Sequence, residues 1–379
     1  MQFAIHKRMS DIPLSAAEWD QLVEDSGTNT VFLRHAWIHT WWHHLAGDNE
    51  LYFVTIRAEG VIVGFAPLML DPTRTLRFIA DENSDYLGFV IHSGATNVIS
   101  DLLQFLVAQP TWRVMHLRNL PRADYDPSLF MRACTNADLI PWRNYTVTAP
   151  YLELCKNIAS AEKRLNKYSV RRAERQLAAQ GELHYEVFSA AQRTDELWDD
   201  FAKQHIKRCR VDNRTSPFKS PNYVAFLQAI SVAPGMHDIV HFSAVLLDNR
   251  AVAYHFGFIS NQRLLWYKPS FDTALEKGSP GVVLIRHLAN YALQHNLLEL
   301  DFTIGAEPFK ERFSNGTRYV DTYRIHRSRL RYLLDKGYWR PRAMNPVCVY
   351  VASAVREALF EGFCANREVQ FEEIVLQGV

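Results

Sequence analysis

Residues that could hold an anion beside a proton acceptor are concentrated between residues 242 and 313. Ser279, Pro280 and Gly281 come directly before an apolar-periodic run, which predicts the start of a helix. The free amides and the dipole at such a start attract anions. The residues predicted to contact the anion are Ser279, Gly281, Val282, Val283 and Arg286.

The same stretch contains candidates for a general base. A carboxylate in a partly dry cleft has a raised pKa, which suits it to accept a proton near neutral pH. Asp301 belongs to the apolar strand 297–302, where alternation places Glu299 and Asp301 on one face. As alternatives, Asp301 and Asp272 could bond turn amides, and a mid-strand histidine could be a core residue. The candidates for the base are Asp301, Asp272, Glu307 and His255.

The elements that must position these residues are predicted from their periodicity. Strands at 240–247, 251–260 and 263–268 form an antiparallel meander, and a helix at 282–295 leads to a strand at 298–302. This order is that of a meander followed by a βαβ-like unit. Lys310 follows the last strand, and we expect it to hold an acidic acceptor or to pair with Glu307.

The first half of the chain has a similar outline, with helices near 16 and at 35–45 and strands at 51–58, 61–70 and 75–80. A carboxylate-rich loop at 81–86 follows. Asp85 and Tyr86 in this loop are expected to line a substrate cleft, the alternative being a solvated loop. One long basic helix is predicted at 156–181, either as a solvated face or as a site for a phosphorylated donor or RNA.

Composition excludes several classes of function. The 379 residues include 42 basic and 41 acidic side chains, so the net charge of +1 argues against a large nucleic-acid footprint. The five cysteines are far apart and form no CxxC pair, and the histidines at 35–44 have no acidic partner nearby, so no metal site is expected. Without a signal peptide or a run of about 18 apolar residues, a cytoplasmic protein without a membrane span is expected.

Three segments together resemble the GNAT acyltransferases. They are 266–272 (WYKPSFD), 279–281 (SPG) and 301–310 (DFTIGAEPFK). The branch that they are similar to includes cellulose and exopolysaccharide-biosynthesis acetyltransferases and FemAB-like aminoacyltransferases. The resemblance implies mixed α/β sheets in tandem GNAT-like domains at 1–155 and 156–327. The second of these would carry the acyl-donor site. Separately from the resemblance, the residue pattern predicts a short helical extension at 328–379, with helices at 328–339 and 347–360.

The resemblance implies an acyl-CoA-dependent N-acyltransferase, with acetyl-CoA as the expected donor and no metal. An amine of a sugar, amino acid or envelope precursor would attack the thioester directly, and a backbone amide at 266–268 would polarise the carbonyl. The residues implied for the donor on that strand are Trp266, Tyr267 and Lys268. The alternatives are aminoacyl transfer from charged tRNA and a non-catalytic role in exopolysaccharide biosynthesis. The motifs of serine hydrolases, P-loop proteins and dinucleotide-binding proteins are absent.

Overall fold

The computed structural model describes residues 1–93 and 98–338. It contains mixed α/β layers built on two sheets. The smaller sheet has four strands and the larger sheet has 11. Met1–Ile325 form one compact unit, and a second unit begins at His326. The boundary predicted at residue 155 lies inside the first unit, and the division into domains at 1–155 and 156–327 stays a prediction.

The elements of the first half begin with short strands and two helices. Ser15 caps the first helix through a capping box with Glu18, as their spacing predicts. Asp126 caps α4 by accepting from the Ser128 and Leu129 amides. The elements are β1 (Gln2–His6), α1 (Ala16–Asp25), α2 (His35–Leu45), β2 (Glu50–Leu51), β3 (Phe53–Ala58), β4 (Val61–Ala66), β5 (Leu68–Leu70), β6 (Thr75–Phe78), β7 (Val90–Ile91), α3 (Val98–Val107), β8 (Val114–Pro121), α4 (Pro127–Asn136) and β9 (Ile140–Glu153).

The second half repeats the plan with longer strands. The single helix predicted at 156–181 is wrong, because the chain forms two helices that are interrupted at residues 166–167. The elements are α5 (Ile158–Leu165), α6 (Tyr168–Ala178), β10 (Leu183–Val187), α7 (Asp195–Val211), α8 (Pro221–Val232), β11 (Val240–Leu247), β12 (Arg250–Ser260), β13 (Arg263–Phe271), α9 (Pro280–Gln294), β14 (Glu299–Asp301), α10 (Pro308–Phe313), β15 (Gly316–His326) and α11 (Arg329–Tyr338). The helix predicted at 347–360 lies outside the described residues.

The two halves exchange their last strands within the larger sheet. Its order is β10-β11-β12-β13-β14-β9-β15-β8-β6-β5-β2, and the order of the smaller sheet is β1-β3-β4-β7. β9 closes the first half in sequence, but it pairs with β14 of the second half. β15 closes the second half, and in the large sheet it lies between β9 and β8. Because each half borrows a strand from the other, one sheet runs through both, which explains why they form one compact unit.

Each half contains one parallel strand–helix–strand unit. β6 and β8 pair in parallel from Thr75↔Val114 to Arg77↔His116, with α3 between them in sequence. β13 and β14 pair in parallel from Arg263↔Glu299 to Leu265↔Asp301, with α9 between them. Beyond these pairs the strands of each unit separate. We call the space beyond the β6–β8 pairs the first wedge and the space beyond the β13–β14 pairs the second wedge.

Apolar residues on both faces of the sheet hold the β13–α9–β14 unit in place. Leu264, Leu300 and Phe302 pack with α6 and α9 on one face. Leu265 and Tyr267 face the opposite side, where they join the core that includes Trp37 and Phe32 of the first half. Residues that alternate along β13 therefore join the two halves through a buried core, which removes apolar surface from water on both faces of the strand.

Candidate active site

The second wedge opens because the chain after β14 follows β9 instead of β13. The Phe302 amide donates to the Pro150 carbonyl at 3.0 Å, and the Gly305 amide donates to the Thr148 carbonyl at 2.9 Å. Thr303 spans the narrow end, where its hydroxyl donates to the Trp266 carbonyl at 3.1 Å. The two strands are therefore separated by a gap that begins at Thr303.

A bulge on β13 lies at the edge of this gap. Phe256 pairs with Lys268 and Phe258 pairs with Leu265, so Gly257 of β12 faces both Trp266 and Tyr267. A Cβ at Gly257 would lie 2.1 Å from the Leu265 carbonyl oxygen, so the close approach requires glycine. A bulge interrupts the ladder and leaves backbone groups outside it. The bulge thus supplies a location for the amide donor that is expected at 266–268.

A cavity of about 260 Å³, the wedge cavity, occupies the second wedge. One side is formed by the diverging strand segments, and α7 with the turn that follows it forms the other side. Lys310 in its wall is only 3% exposed, and its Nζ donates to the Ile304 carbonyl at 2.6 Å and pairs with Glu307 at 3.0 Å. The residues that line the wedge cavity are Asp85, His205, Arg208, Cys209, Arg214, Thr215, Pro217, Trp266, Tyr267, Lys268, Pro269, Thr303, Ile304, Glu307, Phe309 and Lys310.

Asp301 is the last residue of β14 and is 1% exposed. Its Oδ1 accepts from the Tyr86 hydroxyl and from the Thr303 amide, each at 2.8 Å, and Arg318 lies 3.5 Å from Oδ2. Burial, and then the Glu299 carboxylate, raise the pKa of Asp301 to about 6 against the opposing effects of Arg318 and the hydrogen bonds. A carboxyl group with this pKa can accept a proton near neutral pH.

The loop at 81–87, which we call the acidic loop, belongs to the first half but reaches the second wedge. Asp85 lines the wedge cavity, and burial raises its pKa although Lys268 and Lys310 oppose that rise. Tyr86 lies beside a second cavity of about 360 Å³, the cleft cavity, which Asp301 and Arg318 also line. Tyr86 and Asp301 therefore lie in the wall of the cleft cavity, and Asp85, the neighbour of Tyr86, lies in the wall of the wedge cavity.

The other predicted bases lie in different surroundings. Asp272 caps its own turn by accepting from the Ala274 amide, and it faces Lys207 and Arg250, each at 3.4 Å. Burial alone would raise the pKa of Asp272, but the Ala274 amide and the two cations together hold it below its usual value. Asp272 is therefore ionised and engaged in structure at neutral pH. Glu307 lines the wedge cavity, with its side chain 48% exposed and paired with Lys310.

His255 is fully buried within the sheet, where its ring stacks on that of Trp266. Its Nε2 lies 3.2 Å from the Leu265 carbonyl, which can only accept, so Nε2 carries the proton. Its Nδ1 then accepts from Nδ1 of His241 at 3.4 Å, and Nε2 of His241 accepts from the Tyr185 hydroxyl at 3.3 Å. Burial lowers the pKa of His255 to about 3. His255 therefore has no proposed role in proton transfer.

The start of α9 has fewer free donors than its sequence predicts. The Val282 and Val283 amides both donate to the Ser279 carbonyl, at 2.9 and 3.3 Å. Arg286 forms an ion pair with Glu174 of α6, and its other terminal nitrogen donates to Asn166. Ser279 has a left-handed backbone (φ 46°), and Gly281 packs on Phe271. Val282, Val283 and Arg286, three of the residues predicted to hold an anion, therefore have partners within the protein. Anion contacts of Ser279 and Gly281 stay a prediction.

Some residues of the site were not predicted from the sequence. Arg208 donates to the Pro269 carbonyl at 2.9 Å and stacks on Phe271, but only the fold brings its helix to this strand. His205 lines the wedge cavity and lies 2.9 Å from the Ser216 hydroxyl. Arg318 comes from the exchanged strand β15 and has no local motif. Among these residues, only Thr303 could have been found from the sequence, since it lies two residues after Asp301 in the 301–310 segment.

The described residues contain neither a metal-binding cluster nor a membrane-spanning helix. No group of three or more histidine, cysteine or acidic side chains there could hold a metal ion. None of the helices described combines the length and the apolar character that crossing a bilayer requires. A larger cavity, of about 560 Å³, lies between β7, α3 and α4 of the first half, and neither Asp301 nor Asp85 lines it.

Comparison with known proteins finds one matching family and several similar folds. Residues 164–311 match the family described as "Acetyltransferase (GNAT) domain". No curated protein sequence matches the chain.

Among solved structures, the crystal structure of FemX is similar with a TM-score of 0.60 and 11% identity, covering 88% of this chain and 99% of that chain. A tandem GNAT protein from the clavulanic acid biosynthesis pathway gives 0.50 and 11%, covering 86% and 99%. The C-terminal domain of a putative lysylphosphatidylglycerol synthetase from Agrobacterium fabrum gives 0.51 and 14%, covering 85% and 95%. At these identities the structural likenesses concern the fold.

Proposed function

We propose that this chain, in which residues 164–311 match the acetyltransferase (GNAT) domain, transfers an acyl group from a thioester donor to an amine at the second wedge. The observation that carries the proposal is the wedge cavity between β13 and β14, with the bulge on one side and protonatable carboxyl groups nearby. The donor is an acyl-CoA, with acetyl as the expected acyl group.

The reaction needs no nucleophilic side chain. The amine nitrogen attacks the thioester carbonyl, and a backbone amide at 266–268 stabilises the charge that develops on the oxygen. A C–N bond forms, the C–S bond breaks, and the thiolate leaves and takes up a proton. Thr303 holds the narrow end of the wedge, so the acyl group lies between Thr303 and the bulge.

Asp301 is the proposed proton acceptor for the attacking amine. Its raised pKa of about 6 makes it ionised, yet basic enough, at neutral pH. Tyr86 and the Thr303 amide fix the orientation of its carboxylate. Asp85 is the second candidate because it lines the wedge cavity directly. Glu307 follows as the third candidate, since it is paired with Lys310. Asp272 has no proposed role in the transfer, because it is engaged in its own turn outside the wedge cavity.

The acceptor is an amine of a sugar, an amino acid or an envelope precursor. The cations along the wedge cavity outnumber its two carboxylates, Asp85 and Glu307, which favours an acceptor that also carries a negative group. The cations are Arg208, Arg214, Lys268 and Lys310. Within the branch that the sequence resembles, the proposed setting is exopolysaccharide biosynthesis in the cytoplasm. A non-catalytic role there stays the alternative if no transfer is found.

The test combines binding with transfer. Isothermal titration with acetyl-CoA is expected to give saturable binding, and mass spectrometry of an amine panel is expected to show a gain of one acetyl group. The control is Asp272→Asn, which changes a carboxylate outside the wedge cavity. No binding of acetyl-CoA, together with an unchanged melting temperature, contradicts the acyl-CoA donor.

A second candidate donor is a charged tRNA. At the start of α9, three of the predicted anion contacts already bond within the protein. By contrast, five cations are exposed on α5, on α6 and between them. They are Lys163, Lys167, Arg171, Arg172 and Arg175. A surface of this kind suits a polyanion that extends beyond the wedge cavity. Filter binding of charged tRNA at low and high salt distinguishes the two donors. Salt-dependent binding of charged tRNA, together with no binding of acetyl-CoA, would select charged tRNA as the donor.

A further inference from the structure

The first wedge is occupied by its own chain, which distinguishes it from the second. Beyond Arg77 the chain turns away from β8, and the acidic loop returns to bond β8 at Asn119. The Leu87 amide donates to the Asn119 carbonyl at 2.8 Å, and Nδ2 of Asn119 donates to the Ser84 carbonyl at 2.7 Å. Asn119 is 3% exposed and has a left-handed backbone with φ 61°.

The two bonds of Asn119 flank two residues that face the second wedge. Ser84 precedes Asp85, which lines the wedge cavity, and Leu87 follows Tyr86, which donates to Asp301. Because Asn119 holds the chain on both sides of Asp85 and Tyr86, this part of the acidic loop has little freedom to move the two side chains.

Further bonds attach the acidic loop to its surroundings. Nε1 of Trp37 donates to the Ser84 hydroxyl at 3.0 Å, and Nε1 of Trp41 donates to Oδ1 of Asn83 at 2.8 Å. From the second half, the Tyr267 hydroxyl donates to the Asn83 carbonyl at 2.6 Å. Tyr267 belongs to the bulge on β13, so the acidic loop connects the first wedge with the wall of the second.

We propose that the first wedge has become a support for the second, and that Asn119 is a positioning residue that sets Asp85 and Tyr86 against the wedge cavity and Asp301. This inference rests on the proposed function, since it gives these residues a role in transfer. It also makes a claim about the acidic loop that stands without any activity. The donor site lies in one half, and the other half supplies two of its side chains.

The variant that tests the proposal is Asn119→Gly. Glycine accepts the left-handed backbone and keeps the carbonyl that binds Leu87, so only the side-chain bond to Ser84 is lost. The matched control is Asn249→Gly, because Asn249 also has a left-handed backbone (φ 62°) but lies in an exposed turn between β11 and β12.

The first readout is hydrogen exchange of the acidic loop, which needs no substrate. Loss of one neutral hydrogen bond, about 1 kcal/mol, is expected to speed exchange at residues 84–87 about fivefold in Asn119→Gly and not in the control. The second is the pH profile of kcat/KM for transfer. In Asn119→Gly its acidic limb is expected to move to higher pH, because a displaced Tyr86 stabilises the charged form of Asp301 less. Tyr86→Phe is expected to move it in the same direction.

The outcomes separate the two proposals. Faster loop exchange in Asn119→Gly, with no transfer by the wild-type protein, keeps the positioning role and rejects the proposed function. Transfer by the wild type, with loop exchange and pH profile in Asn119→Gly equal to those of Asn249→Gly, overturns the positioning role. A uniform loss of activity without a shift of the profile also overturns it, since that is what a merely structural role predicts.

Discussion

The hydroxyl of Tyr86 donates a 2.8 Å hydrogen bond to Oδ1 of Asp301, although the two residues lie 215 positions apart in the chain. Tyr86 comes from the acidic loop of the first half, and Asp301 is the last residue of β14 in the second. The bond lies in the wall of the cleft cavity, beside the second wedge. This contact links the proposed base to a residue that the first half positions.

Replacing Asp301 by Asn is expected to reduce kcat/KM for acyl transfer about 10²- to 10⁴-fold, the usual contribution of a general base. Asp272→Asn is the matched control and should retain activity within about threefold, because Asp272 pairs with Lys207 and Arg250 outside the wedge cavity. Steady-state kinetics with acetyl-CoA and an accepted amine measure both. Equal losses in the two variants contradict the assignment of Asp301.

The activity of the wild-type protein is expected to rise with pH through about 6, where Asp301 loses its proton. In Tyr86→Phe the carboxylate loses a hydrogen bond that favours its charged form, so its pKa rises and the acidic limb moves to higher pH. A bond of about 1 kcal/mol corresponds to a shift of about 0.7 pH units. A limb that stays in place in this variant shows that Asp301 is not the group that titrates.

Arg286→Gln is expected to change stability more than donor binding. Arg286 pairs with Glu174 in a partly buried position, so losing the charge should lower the free energy of unfolding by about 1 kcal/mol. The affinity for acetyl-CoA should change less than about threefold. Glu174→Gln breaks the same pair and serves as the reference in urea unfolding and calorimetry. A more than tenfold weaker binding in Arg286→Gln alone would show that Arg286 contacts the donor.

Gly257→Ala is expected to destabilise the protein by at least about 2 kcal/mol, because the added Cβ meets the Leu265 carbonyl at 2.1 Å. The bulge on β13 has to move, so donor binding should weaken as well. Gly27→Ala is the control, since a Cβ at Gly27 meets nothing within 4 Å. Urea unfolding followed by tryptophan fluorescence compares them. Equal midpoints for the two variants contradict the packing argument.

Acid is expected to destabilise the fold through His241 and His255. Burial lowers the pKa of both, to about 3 for His255, so the unfolded chain binds protons near pH 6.5 that the folded chain does not. Their contribution to stability is complete above about pH 6.5 and falls with pH toward about 3. Replacing both by Phe should flatten the dependence of the unfolding free energy between pH 7 and 5. An unchanged slope in the double variant assigns the effect to other groups.

Several features follow from local sequence because local physics decides them. The meander and the helix–strand unit of the second half were predicted from periodicity, and the Ser15 capping box from its spacing. Alternation placed Glu299 and Asp301 on one face, and Arg318 now contacts both, at 2.5 and 3.5 Å. The GNAT resemblance of three segments is confirmed by the family match at 164–311.

Only the tertiary structure decided how these residues meet. Pairing between strands depends on which backbones the whole sheet brings together, so the exchange of β9 and β15 has no local signature, and neither has the place of Arg318. The pKa of Asp301 follows from burial by distant residues, and Tyr86 reaches it through the acidic loop. Conversely, some donors of the anion site predicted at residues 279–286 bond within the protein, because they donate to the Ser279 carbonyl or to Glu174. Sequence determined the types of residue available for chemistry, and the fold decided which of them face a cavity, because desolvation and pairing are properties of the packed chain.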